Sequence, residues 1–303
     1  MKLPSISFCI KHPKSALLKY LLFFAYCFPD KAYLKLLYKI QMRKKLNLVP
    51  PRTFSEKLQW LKLYDHNPLY TKMVDKVAAK EYVAGVLGDE FIIPTLGVWD
   101  NAEDIDWDEL PDQFVLKCNH DSGGLVICRD KSKLDKKSAI KRLNKSLKTN
   151  FYKEGREWPY KNVPRKILAE KYIEPSSHSN DLPDYKFFCF NGEPKYCQVI
   201  TGRNSVMCVD FFDMNWSHQP FHEPKCYPFA QISPSKPINF EKMKSAAAAL
   251  ADGKPFSRID FYEIGTRVLF GEITFFPTSG MGGFEPYEWD EIFGEMIILP
   301  TKI

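Results

Sequence analysis

The feature that most constrains this chain is a pair of apolar runs near its C-terminal end, residues 256–263 and 268–275, with Gly265 between them. Runs of this length, rich in β-branched and aromatic residues and joined by a glycine turn, predict an antiparallel hairpin. Each run carries a carboxylate: Asp260 in Ser257-Arg258-Ile259-Asp260-Phe261 and Glu272 in Gly271-Glu272-Ile273-Thr274. If the strands pair across the turn, the two acids can lie close on one face. Two anions there repel and lose hydration, and a divalent cation relieves both costs. Arg258, two residues from Asp260, shares that face. A cationic fork beside a metal-carboxylate pair suits phosphoryl or acyl-phosphate groups. The plainer alternative is a surface hairpin with an Asp–Arg pair and a hydrated glutamate.

The rest of the chain mixes periods. Thr53 can cap an amphipathic helix over 54–63, and a second helix is expected over 69–87, stopping at Gly88. A short strand is expected at 91–94, then an acidic loop region over 99–111. Strands at 113–117 and 125–128 flank the turn Asn119–Gly124, a basic helix covers 133–149, and a strand at 166–173 runs into a linker of Pro, Ser, His and Asn. Later come a hairpin over 185–201 with Asn191-Gly192 at its tip, a strand at 206–212, and a helix over 239–253 with small residues at 246–249. Helices first and hairpins later predict an α+β fold.

At 303 residues the chain can bury a sizeable core, and its 45% apolar and 26% charged residues exclude a disordered or collagen-like chain. The net charge of +6 is too small to suggest a nucleic-acid protein, and no such partner is expected. The charge is uneven, however. Residues 1–52 hold eleven basic side chains and one acid, leaving the remainder mildly acidic. The apolar stretch 17–28 is too short to span a bilayer, which takes about 20 residues, and it lacks the signature of a signal peptide. Residues 31–45 set Tyr33, Leu34, Leu37, Tyr38 and Ile40 beside a cationic face. That stripe predicts either a helix lying on a membrane surface or one packed on the body with its lysines in water. Eight cysteines without a CxxC suggest reduced thiols in a cytoplasmic protein.

Neither GxxxxGK[ST] nor GxGxxG is present. Lys117 ends a buried strand shortly before Gly123-Gly124. A lysine with a small loop beside it can hold phosphates by point charge and backbone N–H groups, although a strand-end lysine is more often simply solvated. His120 within that loop reads as solvent-exposed, and Cys118 as a small core residue. Arg203, after a strand, could meet a substrate carboxylate or lie on the surface. Lys186 would face a cleft if its strand borders one. His218, His222 and Cys226 have regular spacing, but Pro220 and Pro224 break any helix there, which argues against zinc.

Taken in order, these motifs resemble the ATP-grasp superfamily, and most closely its TupA-like branch of bacterial surface-polysaccharide gene clusters. Asp75-Lys76 opening a helix resembles the first ATP-grasp lysine. Phe114-Val-Leu-Lys117 with Gly123-Gly124 resembles the second lysine and its glycine loop. Leu168-Ala-Glu170-Lys171-Tyr172-Ile173-Glu174 resembles the hinge that reads adenine, with an acid for the ribose. Arg258-Ile-Asp260-Phe and Glu272-Ile-Thr274 resemble the magnesium strands, with threonine where many relatives carry asparagine.

The resemblance implies two α+β lobes clasping ATP. These would follow a basic helical arm (1–52) and a helical region (53–111), as lobe A (112–180) and lobe B (181–303). ATP would be bound by Lys76, Lys117, Gly123, Gly124, Glu170, Lys171, Tyr172, Ile173, Glu174 and Lys186. Mg²⁺ would be held by Asp260, Glu272 and Thr274. Lys117 and Arg258 would be catalytic, and Arg203 and Arg258 would hold substrate. The implied activity is a carboxylate–amine ligase acting through an acyl phosphate on a uronic acid of a capsular, O-antigen or teichuronopeptide-like polysaccharide. A glycosyltransferase or sugar kinase of the same pathway is the alternative. The expected location is cytoplasmic, with membrane-surface contact through residues 1–52.

Overall fold

A computed structural model describes residues 11–174, 182–223 and 227–301. The expected linker after residue 174 and the cysteine at 226 therefore fall, wholly or nearly so, outside the described residues. In chain order the helices are α1 (Pro13–Phe23), α2 (Asp30–Met42), α3 (Phe54–Tyr64), α4 (Leu69–Val74), α5 (Ala78–Leu87), α6 (Lys136–Leu147), α7 (Phe151–Gly155), α8 (Phe240–Ala251) and α9 (Glu288–Met296). The strands are β1 (Thr95–Trp99), β2 (Phe114–Cys118), β3 (Leu125–Cys128), β4 (Ile167–Lys171), β5 (Asp184–Phe190), β6 (Glu193–Thr201), β7 (Cys208–Asp213), β8 (Phe256–Ile264) and β9 (Arg267–Thr274). They form two antiparallel sheets, a small one in the order β1-β4-β2-β3 and a large one in the order β7-β6-β5-β8-β9. The α+β expectation holds.

The large sheet is organised by β5, Asp-Tyr-Lys-Phe-Phe-Cys-Phe, every residue of which is buried. It lies between β6 and β8, so both of its edges are paired, and both of its faces are covered by other elements. One face sends Phe187 against Phe240 of α8, with ring centroids 5.7 Å apart. The other sends Phe188 and Phe190 into an aromatic cluster with Phe54, Phe256 and Phe293. Edge-to-face packing of this kind adds about 1 kcal/mol per pair to the burial itself. The same strand's Asp184 and Lys186 share the Phe188 face by alternation but lie at its other end. The sheet face is thus apolar under α3 and α9 and polar at the cleft. α3 starts with the expected cap, Thr53 and Glu56 forming a reciprocal capping box. Asn191 (φ 50°) and Gly192 (φ 88°) make the β5–β6 turn, with both residues in the left-handed region, as Asn-Gly predicts.

Several expectations are corrected. The single helix over 69–87 is two, broken at Asp75-Lys76-Val77, because the Asp75 carboxylate accepts from Val77 N (2.9 Å) and from Asn119 Nδ2 (2.8 Å). Residues 91–94 are not a strand: Asp89–Phe91 is a 3₁₀ turn and the first strand is β1. β1 pairs with β4, so the small sheet begins inside the 53–111 segment and the boundary at 111/112 cuts through it. His120 is buried rather than exposed. The stripe of residues 31–45 faces inward: Tyr33, Leu34, Leu37 and Tyr38 join the main core. Each gains about 2 kcal/mol from that burial, so this stripe is not available to lipid. Cys118 packs in the core of the small sheet, as expected. His218 pairs with Asp210 (2.8 Å), and among the described residues no three His, Cys, Asp or Glu side chains gather as a metal cluster.

Candidate active site

The two sheets border a cavity of about 570 Å³, ample for a nucleotide. Lys76, Lys117, Glu170, Tyr172, Lys186, Arg203, Asp260 and Glu272 all line it. A wider groove of about 1280 Å³ runs along the far side of the hinge residues 171–174 toward Arg267 and Leu269, and shares Lys171, Tyr172 and Ile173 with the first.

On the small sheet, Lys117 sits opposite Leu125 and Leu168 in the ladders. Its ammonium is 2.5 Å from Glu170 Oε2, while Lys80 Nζ lies 2.8 Å from Glu170 Oε1. Burial alone would raise the Glu170 carboxyl. Lys117 and Lys80 outweigh it and hold it below the usual range. Burial depresses Lys80 despite its partner. Glu170 thus fixes Lys117 at the cavity wall and Lys80 behind it, outside the lining. Lys80 was missed from sequence; its place four residues after Lys76, on the same side of a helix, was the available signal.

The broken helix delivers Lys76. Asn119, fully buried, is the fastener: its Nδ2 donates to Asp75 and to Pro164 O (2.7 Å), and its Oδ1 accepts from Lys166 N (2.8 Å). Lys76 Nζ then donates to Asp121 O (2.7 Å) and stands 3.8 Å from Glu272 Oε2. The loop is pinned from below, where the buried Asp121 accepts from Ser146 Oγ and from Gly124 N (3.2 Å). Gly124 lines the cavity and has no room for a side chain, since an added Cβ would lie 2.3 Å from Ser146 Oγ and 2.6 Å from Cys118 Sγ. Gly123 is at the tip, outside the cavity lining, and an added Cβ there meets nothing closer than 3.5 Å.

On the large sheet the hairpin is in the register that puts its acids together: Asp260 opposes Glu272 and Arg258 opposes Thr274. Arg258 donates from Nε and Nη2 to the two Asp260 oxygens (2.7 Å each), and from Nη2 to Glu272 Oε1 (3.2 Å) and Thr274 Oγ1 (3.1 Å). Burial works against its charge, but Asp260 and Glu272 raise its affinity for a proton further. Lys186, opposite Asp260 on β5, pairs with that carboxylate and lies 3.9 Å from Asp184. Arg203 pairs with Asp184 and is 47% exposed, at the mouth. Glu272 is pushed up by burial and pulled down harder by Lys76, Lys186, Arg258 and Lys117, to about 2.

At the hinge, Lys171 N donates to Pro94 O (3.0 Å), and Tyr172 and Ile173 are half-buried beside exposed Glu174. Arg129 bridges the lobes here, donating to Tyr172 Oη (3.2 Å) and Asn204 Oδ1 (3.1 Å). No sequence motif marks Arg129 or Asp184, and Asn119 and Asp121 stand out in the sequence only as members of the turn before Gly123-Gly124.

Asp260 and Glu272 fit a magnesium ion. Mg²⁺ is ordinarily held by one or two carboxylates together with substrate phosphates, without a full protein cage. Thr274 Oγ1 is taken up by Arg258.

Comparison with known proteins agrees with this geometry. The family model described as TupA-like ATPgrasp matches residues 56–298. Among curated proteins no match is found. Three solved structures show the range of similarity. A D-alanine–D-alanine ligase from Bacillus anthracis complexed with ATP is 16% identical, with 67% of this chain and 53% of that one covered and a TM-score of 0.36. The Helicobacter pylori D-Ala-D-Ala ligase is 15% identical, with 81% and 69% covered and a TM-score of 0.42. The biotin carboxylase domain of Hydrogenobacter thermophilus 2-oxoglutarate carboxylase is 16% identical, with 91% and 60% covered and a TM-score of 0.43. The chain spans about half the length of the first of these. With the family model covering most of its length, the chain belongs to the TupA-like ATP-grasp family.

Proposed function

We propose that the protein is an ATP-dependent carboxylate–amine ligase. The observation that carries this reading is the convergence of Lys76, Lys117 and Lys186 on one cavity with the opposed pair Asp260 and Glu272; Arg258 is outside the lining and is bonded to both carboxylates. Lys76 and Lys117 bind the α- and β-phosphates as point charges, and Glu170 and Asn119 keep them in place. The hinge backbone at 171–173 orients the base. Asp260 and Glu272 would hold Mg²⁺, which when bound neutralises charge on the β- and γ-phosphates.

A substrate carboxylate oxygen attacks the γ-phosphorus, the bond to the bridging oxygen breaks, and ADP leaves. The resulting acyl phosphate is attacked at its carbonyl carbon by an amine. The C–O bond to phosphate breaks, and inorganic phosphate departs with the proton lost by the nitrogen. Arg258, bonded to both carboxylates, would stabilise negative charge on the acyl oxygen. Arg203, at the mouth, meets the carboxylate substrate. Family membership and the basic arm support a uronic acid of a surface polysaccharide or its precursor as the acid partner.

The test is ADP release by the purified protein with Mg·ATP, a uronic acid and an amine, with hydroxylamine added to trap acyl phosphate as a hydroxamate. Hydroxamate and amine-dependent turnover are expected. ADP formation with sugar but no acyl trapping would replace the ligase with a kinase. Thermal stabilisation by nucleotide-sugars and not by Mg·ATP would replace it with a glycosyltransferase.

A further inference from the structure

We propose that the face formed by α1 and the turn after it docks on an anionic lipid membrane. α1 buries Leu21 and, with the turn at Ala25–Cys27, Ala25, against the body. The other side of the same segment leaves Leu17 (48%), Phe23 (40%), Phe24 (45%), Tyr26 (74%) and Phe28 (37%) open. Five large apolar side chains exposed within twelve residues are more than scattered surface hydrophobics.

They are not carried on a loose tail. Arg156, 4% exposed, donates from Nη2 to Ala25 O (2.6 Å), pairs with Asp30 (2.8 Å), and lies 4.1 Å from the Tyr33 ring centroid. Tyr33 Oη in turn donates to Glu154 O (2.9 Å). The turn is thus anchored to the segment around α7, and its aromatic rings are held outward at no further ordering cost on binding.

Charge selects the occupant. The only acid in residues 1–52 is Asp30, and it is taken by Arg156. Lys31, Lys35 and Lys39 repeat every four residues on the exposed side of α2, opposite its buried stripe, and Lys11 and Lys14 are exposed at the start of α1. Aromatic side chains flanked by lysines match the interfacial zone of a bilayer, where the rings sit at headgroup level and the ammoniums meet anionic headgroups. The proposal is independent of the ligase reading, since none of these residues lines the cavity.

The experiment is co-sedimentation of the full chain with vesicles of phosphatidylcholine alone and of phosphatidylcholine with one quarter phosphatidylglycerol. The wild type is expected to partition onto the anionic vesicles and to lose that binding as salt is raised. Phe23→Ser/Phe24→Ser and, separately, Lys31→Glu/Lys35→Glu are each expected to lower partitioning at least tenfold. Melting temperature and its rise with Mg·ATP should stay unchanged in both. No partitioning of the wild type, or equal partitioning of the Phe23→Ser/Phe24→Ser variant, overturns the proposal. So does a wild-type dimer that becomes monomeric in that variant without any vesicle binding, which would make the face an interface between copies.

Discussion

The two sheets bring different balances of charge to the same cavity. At the small sheet Lys117 of β2 and Lys80 of the adjoining α5 share one carboxylate, Glu170, so a positive charge is left over. On the large sheet Asp184, Asp260 and Glu272 face Lys186, Arg203 and Arg258, and the groups pair off. Lys76 reaches between the two, bonded to Asp121 O and close to Glu272. The small sheet is therefore preset for a polyanion. The large sheet keeps its carboxylates satisfied by its own cations, and under the proposed function a metal ion and phosphates would displace that pairing. Buried carboxylates serve both sheets, in one case to fix cations and in the other to be exchanged.

Removing a carboxylate from each sheet should break that symmetry. Asp260→Asn takes away the carboxylate proposed to hold Mg²⁺, which is also the acceptor of the Arg258 fork. ADP turnover should fall by about 100-fold or more, and the rise in melting temperature with Mg·ATP should vanish. Its effect on unliganded stability should be moderate, because Arg258 keeps Glu272 and Lys186 keeps Asp184. Near-normal turnover would remove Asp260 from the site. Glu170→Gln should do the reverse, leaving the half-buried Lys80 and Lys117 without a counter-charge. A loss of about 3 kcal/mol is expected in urea unfolding, larger than that of Asp260→Asn. If Asp260→Asn proves the more destabilising, the two sheets do not divide the work as described.

What the sequence revealed follows the range of the interactions. The β8–β9 and β5–β6 hairpins were legible because alternation, Asn191-Gly192 and Gly265 act within a few residues. The register opposing Asp260 to Glu272 does not follow from the turn alone, which would set Asp260 against Gly271; a one-residue shift between Asp260 and Phe261 brings Glu272 opposite instead. The break at Asp75-Lys76-Val77 was not legible, because nothing in 69–87 interrupts helical periodicity. The chain opens there when Asn119, from the next sheet, takes up the Asp75 carboxylate. Burial of His120 and pairing of Lys80 with Glu170 are likewise contacts between segments far apart in sequence. The arm misled for a similar reason. The stretch 17–28 is apolar and 31–45 amphipathic and basic, and only the folded body shows that α2 turns its apolar side inward while α1 and its turn leave apolar side chains out.

The glycine loop gives a sharper and smaller contrast within the small sheet. Gly124→Ala must push its methyl group into Ser146 and Cys118, displacing the Ser146 hydroxyl that pins Asp121. A cost of about 2 kcal/mol is expected, with weaker ATP binding. Gly123→Ala, at the open tip, should change stability by less than about 0.5 kcal/mol. Equal effects by thermal unfolding would mean that the loop is not held from below by Asp121 and Ser146.

The smallest expected effect tests the large sheet by pH. Glu272 has its folded pKa lowered from 4.5 to about 2, since four cations outweigh its burial. A carboxyl depressed on folding adds stability that is fully present above its unfolded value and disappears as pH falls through the folded value. Wild type should therefore be more stable than Glu272→Gln by a constant margin from neutral pH down to about pH 4.5. That margin should close between there and about pH 2. Because the side chain is 39% exposed, water screens much of the interaction and the margin is modest. Melting curves of the two proteins at pH 7, 4.5 and 3 read it directly. A margin that stays constant to pH 3 would mean that the cations around Glu272 do not stabilise its charge in solution, and that the pairing on the large sheet is looser than that around Glu170.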